Sequence, residues 1–223
     1  MIAALFKAFA QMSDPALQRV VWQTLGWSVG LFAVLLAAGW WLLISTELFR
    51  IAWLETAVDV LGWVVALIAA FFLFPGAALL NISFLLDPVA AAVEARHYPR
   101  LGAPRAQPLS EALWLGLRFA ALSVLLNLFF LPLYFVPVLN VFVFAGLNGY
   151  LLGREYFELV ALRRLEAAPA RAMRKRYRGR LFFAGVVITF LLSIPLVNWF
   201  MPVVAAAFMV HVFEGLRRDE KVF

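Results

Sequence analysis

From Val20 to Thr46 the chain runs for 27 residues without one charged side chain, and a second uncharged run of the same length extends from Val60 to Leu86. As helices, these runs would each be roughly 40 Å long, more than the ~30 Å hydrocarbon core of a bilayer. Their apolar residues are continuous instead of alternating with period two, which selects helices over a β-barrel. A content of 65% hydrophobic and 14% charged residues is far from that of soluble domains, where about a quarter of residues are charged. The fold class expected is an all-α integral membrane protein.

The remaining chain divides by composition into a single membrane domain, 1–223. Residues 1–19 form an amphipathic lead, with Ile2, Leu5, Phe6 and Phe9 at helical spacing and a break at Pro15, suited to lying on a membrane surface. This lead has no basic start, apolar centre or small-residue cleavage site of a signal peptide. The first run, 20–46, reads as a tilted transmembrane helix. The second reads as one transmembrane helix over 60–97, kinked at Pro75-Gly76, because either half alone is too short to cross. Pro99, Pro104 and Pro108 mark a loop.

Two further apolar regions share a phrase. Pro137-Val138-Leu139-Asn140-Val141-Phe142 returns 58 residues later as Pro195-Leu196-Val197-Asn198-Trp199-Phe200. The first region, 112–153, is too long for one span and is broken at Pro132 and Pro137. In the second, 181–213, the leg before Pro195 is only about 21 Å as a helix. These are read as two re-entrant helical hairpins, with full crossing as the alternative. Interrupted helices are tolerated at membrane depth only where protein or a wet cavity covers the freed backbone, and such breaks serve transporters as binding sites. Asn140 and Asn198 stand where helix N-caps are expected just after each turn, so the second legs would aim positive ends inward. Capping orphan N–H groups is the plainer reading of both.

Charge is concentrated between the hairpins. Residues 154–180 hold nine basic and three acidic side chains, which puts this segment in the cytoplasm by the positive-inside rule. Tyr156, Leu159, Leu162 and Leu165 make its first part an amphipathic helix ending near Pro169, followed by a basic loop at 171–180. With few interleaved aromatics the cluster suits anionic membrane lipids better than nucleic acid, and no nucleic-acid partner is expected. Residues 214–223 read as a tail. His211 and Glu214, one turn apart, read as a helix-end ion pair; His-x-x-Glu alone lacks the ligands of a metal site. With no cysteine and two histidines, and with no phosphate-loop or paired-acid pattern, no cofactor, metal or enzymatic activity is expected.

Three phrases carry a resemblance: Ser13-Asp14-Pro15-Ala16-Leu17-Gln18-Arg19 before the first run, Val93-Glu94-Ala95-Arg96 after the second, and Ile194-Pro195-Leu196-Val197-Asn198 with Met201-Pro202-Val203 at the last hairpin. In order and spacing the chain resembles the CysZ family of bacterial sulfate permeases. The resemblance implies two long transmembrane helices plus two hemi-penetrating hairpins, a multi-pass protein of the bacterial inner membrane, and homo-oligomers, some with inverted subunits. The implied function is sulfate uptake for cysteine biosynthesis. The implied sulfate site is a Gly-(Leu/Ile)-Arg-Arg turn, matched here by Ala16, Leu17, Gln18 and Arg19. Alanine replaces the glycine and glutamine the first arginine.

A sulfate dianion needs charge-assisted donors in place of its lost water. Arg19 can supply a bidentate fork, Gln18 an amide donor, and Ala16 and Leu17 the open N–H groups of a first helical turn. The plainer reading of Arg19 is an anchor at lipid headgroups. Glu94 and Arg96 match charges that the family places near its conduit, and Asp87 and Arg118 lie by apolar stretches where unpaired charge is costly. These could form a gate of ion pairs, or only pair structurally. A non-transporting membrane scaffold, with a lipid-binding basic segment and wedge-like hairpins, is the alternative function.

Overall fold

The computed structural model describes residues 1–23, 26, 30, 33, 34, 37, 41, 86–194 and 200–221. Most of the first long run, residues 60–85 with the Pro75-Gly76 kink, and the second turn with Pro195 and Asn198 lie outside them. The chain divides into two units, one of residues 1–20 and 85–223, the other of 21–84. In the second, every described residue is helical.

All regular elements described in the larger unit are helical. They are α1 (Ile2–Ala10), a 3-10 turn (Gln11–Ser13), α2 (helical from 15), α3 (86–97), α4 (Leu109–Phe130), α5 (Leu139–Leu162), α6 (Ala167–Arg176), α7 (Arg178–Leu192) and α8 (Met201–Lys221). The last helix is its hub. From Val203 through Glu214 every residue of α8 is buried, packed against α1, α5 and α7. A helix apolar on all sides belongs inside a bundle, and Ala205, Ala206 and Ala207 let its neighbours come close.

The tightest packing joins α5 and α7, which run antiparallel. Gly149, Gly153 and Gly185 form the crossing. A Cβ on Gly185 would overlap the Gly149 carbonyl oxygen and lie 2.5 Å from the Gly153 nitrogen, and one on Gly153 would overlap the Leu181 carbonyl. Small residues four apart let helix backbones touch where lipid offers no hydrophobic drive for association. The Gly149-x-x-x-Gly153 spacing is legible in the sequence, and it is the signal that sequence reading missed.

Apolar sequence regions 112–153 and 181–213 do fold as pairs of helices, with revised limits. In the first, α5 continues unbroken from 139 to Leu162, so the helix expected to start at 154 is its last third; buried Tyr156, Phe157 and Val160 hold it in the bundle. Pro169 begins a helix instead of ending one, in the first turn of α6, where proline's missing N–H costs nothing. The basic loop expected at 171–180 is helical except at Tyr177, and the tail from 214 is the end of α8. By length, α4 is about 33 Å and α7 about 22 Å.

The first turn is built from Leu131–Phe135 in 3-10 form, followed by Pro137 and Val138. Val138 has φ 67° and ψ −46°, close to a classic γ-turn, and the Leu139 N–H donates to the Pro137 carbonyl at 2.8 Å. For a β-branched residue this backbone is strained. It also moves the cap: Val138 takes the N-cap position, and Asn140 is the second helical residue, its N–H donating to Val136 at 3.1 Å. The expectation of Asn140 as N-cap is corrected accordingly.

Segment Trp114–Phe135 is long and apolar enough to cross a membrane, and its most apolar window is not covered by the rest of the molecule. Trp114, Leu117, Val124, Leu125, Leu128 and Phe129 stand exposed, far more apolar surface than a soluble monomer leaves to water. Polar groups on the legs satisfy themselves: the side chains of Asn127, Asn148 and Thr189 each donate to the carbonyl four residues earlier. Gly185→Val should lower the thermal midpoint in detergent by the equivalent of about 3 kcal/mol, the upper range for overpacking. Gly116→Val, where nothing lies within 4 Å, should have little effect.

Candidate functional site

The turn ahead of the first long run is made by Asp14. Its carboxylate accepts the Ala16 N–H at 3.1 Å, its carbonyl accepts the Gln18 N–H at 2.9 Å, and Pro15 opens α2. This is an N-cap with proline at the first helical position. Two bonds fasten the turn to one face of α3: Gln11 Nε2 donates to the Ala92 carbonyl at 3.3 Å, and Arg96 Nη1 donates to Asp14 Oδ2 at 2.9 Å. The Arg96 bond, with the Ala16 N–H, holds the Asp14 carboxyl below its ordinary value.

Within this frame the Leu17 side chain is fully buried, while Ala16, Gln18 and Arg19 are exposed. The expectation of an open Ala16 N–H is corrected, since the Asp14 cap already takes it. Gln18 and Arg19 offer their side chains outward. Arg96 joins this turn through Asp14, a link between residues 82 apart that no local spacing announces.

Glu94 serves a different cluster. It receives Arg164 through Nε at 3.2 Å and Nη2 at 2.6 Å, and Arg163 Nη2 at 3.5 Å. Arg163 also pairs with Asp87, and Arg164 donates to the Gly102 carbonyl. Glu94 and Arg163 are each 8% exposed. One carboxylate thus ties α3 and the loop after it to the end of α5, and its two arginines need it more than it needs either. Arg118 is exposed and has no ion pair among the described residues. Neither Arg118 nor Asn140 bonds to the Asp14 turn or to Glu94. Asn198 lies outside the described residues.

His211 and Glu214 do not pair with each other. His211 Nδ1 meets the Tyr98 hydroxyl at 2.9 Å, and Glu214 pairs with Arg217 at 3.0 Å. The nearer cation three residues on takes the carboxylate, while the imidazole turns to the Tyr98 hydroxyl. Tyr98, Glu214 and Arg217 edge an open cleft of about 370 Å³ that includes Arg100 and Arg218.

The described residues thus combine a bare apolar helix, Trp114–Phe135, with a cation-rich, ion-paired head. The sequence matches the family described as Sulfate transporter CysZ/Etoposide-induced protein 2.4 over residues 4–202. The chain belongs to that family, and so to a class of sulfate-transporter-like membrane proteins. No curated protein sequence matches it significantly.

Two consequences can be measured. Glu94→Gln leaves Arg164 and part of Arg163 without a counter-charge and should destabilise the protein by about 3 kcal/mol, read as a thermal midpoint in detergent. Glu111→Gln, which breaks the more exposed Arg105 pair at 2.8 Å, should cost under about 1 kcal/mol. Glu155, in the head beyond the apolar legs, is pushed up to about 7 by burial and then by nearby Glu158. A carboxyl raised in the folded state favours folding in its protonated form, so stability falls as pH rises from about 4.5 to above 7. The loss should be about 3 kcal/mol. Glu155→Gln should remove that slope, raising the midpoint at pH 8 and leaving it unchanged at pH 4.

Proposed function

We propose that the protein is a sulfate permease, carrying sulfate across the bacterial inner membrane for assimilation into cysteine. Membership of the sulfate-transporter family over residues 4–202 carries this reading. The Asp14 turn supports it from the chemistry side. It presents Arg19 and Gln18 outward at the start of the first long apolar run, where a dianion leaving water would meet a guanidinium fork and an amide.

In this reading the two apolar helix pairs are re-entrant hairpins that line the path, the basic segment 154–180 faces the cytoplasm, and copies of the chain assemble as homo-oligomers. Transport is channel-like and involves no catalytic step or cofactor. The sequence has no phosphate-binding loop, so the driving force is the sulfate gradient or a partner. Glu94 with its two arginines is a fastening beside the path, and Arg96 steadies the Asp14 turn.

Radiolabelled sulfate uptake into proteoliposomes tests the proposal. The purified parent protein should take up sulfate, and Arg19→Ala should reduce the rate at least tenfold at sub-saturating sulfate, the equivalent of one charge-assisted contact. Gln18→Arg, restoring the arginine pair that the family's turn carries, should raise sulfate affinity. A parent protein that takes up no sulfate would rule the permease out and leave the scaffold reading.

A further inference from the structure

The basic residues around α6 do not form one diffuse patch. Arg171 donates to its own helix at the Ala167 carbonyl, Arg176 lies over the Tyr177 ring at 5.7 Å, and Arg180 pairs with Asp219 at 2.8 Å. The other three, Arg174, Lys175 and Arg178, converge with Arg154 of α5 on one cleft of about 400 Å³, whose remaining wall is Tyr150, Leu181 and Phe182.

Four cations there are offset by one shared carboxylate. Arg154 Nε donates to Glu158 Oε1 at 3.1 Å, and Arg174 Nε stands 3.0 Å from the same oxygen. That second contact lacks hydrogen-bond alignment, so the buried Arg174 Nε has no acceptor. Lys175 and Arg178 are exposed and form no ion pair among the described residues. Arg154 is itself 8% exposed, its guanidinium fixed by α5. Guanidinium groups held this way, with N–H donors to spare, suit a phosphate oxyanion.

The wall decides which phosphate. Tyr150 is half-exposed, and Phe183, next to Phe182 on α7, is 63% exposed. From this cleft the exposed apolar surfaces of α5 and α7 lead away toward the hairpin turn. A free inorganic anion would leave the aromatic wall wet. A phosphodiester with acyl chains fills both halves, head among the cations and chains along Phe182, Phe183 and the legs. We propose that this cleft is a binding site for an anionic phospholipid. The site is independent of the Asp14 turn and of the sulfate reading.

Native mass spectrometry of the full-length protein tests it, with phosphatidylglycerol and phosphatidylcholine of equal chain length as probes, alongside thermal shift in detergent. The parent should retain phosphatidylglycerol in preference to phosphatidylcholine and gain thermal stability from it. The double variant Lys175→Ala with Arg178→Ala should bind phosphatidylglycerol at least tenfold more weakly, since each basic residue near a lipid surface contributes about a factor of five. Arg171→Ala with Arg176→Ala removes the same charge from the same basic segment outside the cleft and should bind like the parent. Equal losses in the two double variants would overturn the proposal in favour of diffuse surface charge. A thermal shift from inorganic phosphate or sulfate as large as that from phosphatidylglycerol, abolished by the same cleft variant, would overturn it in favour of a free-anion site. Both outcomes are read without sulfate uptake, so they stand apart from any result with Arg19.

Discussion

Contact between two backbones, at Gly149, Gly153 and Gly185, governs the rest of the larger unit. With no side chain between them, α5 and α7 run as a pair whose head ends are joined by α6. That return brings Arg174, Lys175 and Arg178 back onto Arg154, and it leaves α8 to fill the remaining side of the bundle. Any side chain at the crossing would part the two helices and open the head as well as the legs.

Charge and apolarity are separated along the same helices. α5 has exposed Val141 and Phe142 in its first turn and buried Arg154 and Glu155 further along. The head is held by ion pairs between elements far apart in sequence, Asp14 with Arg96 and Glu94 with Arg163 and Arg164. Because water is scarce around Glu94, its two arginines fix the end of α5 to α3 in one arrangement. Exposed pairs such as Arg180–Asp219 contribute little by comparison.

Much of this was legible in the sequence because it follows from local pattern. Apolar runs gave the helical class, proline positions gave a loop expected over 98–110, which the structure ends at 108, and the first turn, and Ser13-Asp14-Pro15 gave a helix start. Helix limits at 153 and 169 were misjudged for a physical reason. The third turn of α6 and the last third of α5 are decided by what packs against Tyr156, Phe157 and Met173, and a proline reads alike at the start or end of a helix. Ion-pair partners were illegible: nothing near Glu94 in the chain names Arg164. Asn140 looked like a cap because asparagine usually is one, but the γ-turn at Val138 shifted the helix start by two residues.

That turn bears on how the protein enters a bilayer. Pro132 and Pro137 bring no N–H, and those of Val136, Leu139, Asn140 and Val141 are all spent on carbonyls within the turn itself. A bend closed in this way satisfies most of its own N–H groups, and no charged side chain lies between Arg118 and Arg154. On the proposed re-entrant reading, such a hairpin would be pressed into lipid from the side where both its ends remain, with no hydrophilic segment to be hauled across. The strain at Val138 is then part of what makes one-sided insertion possible.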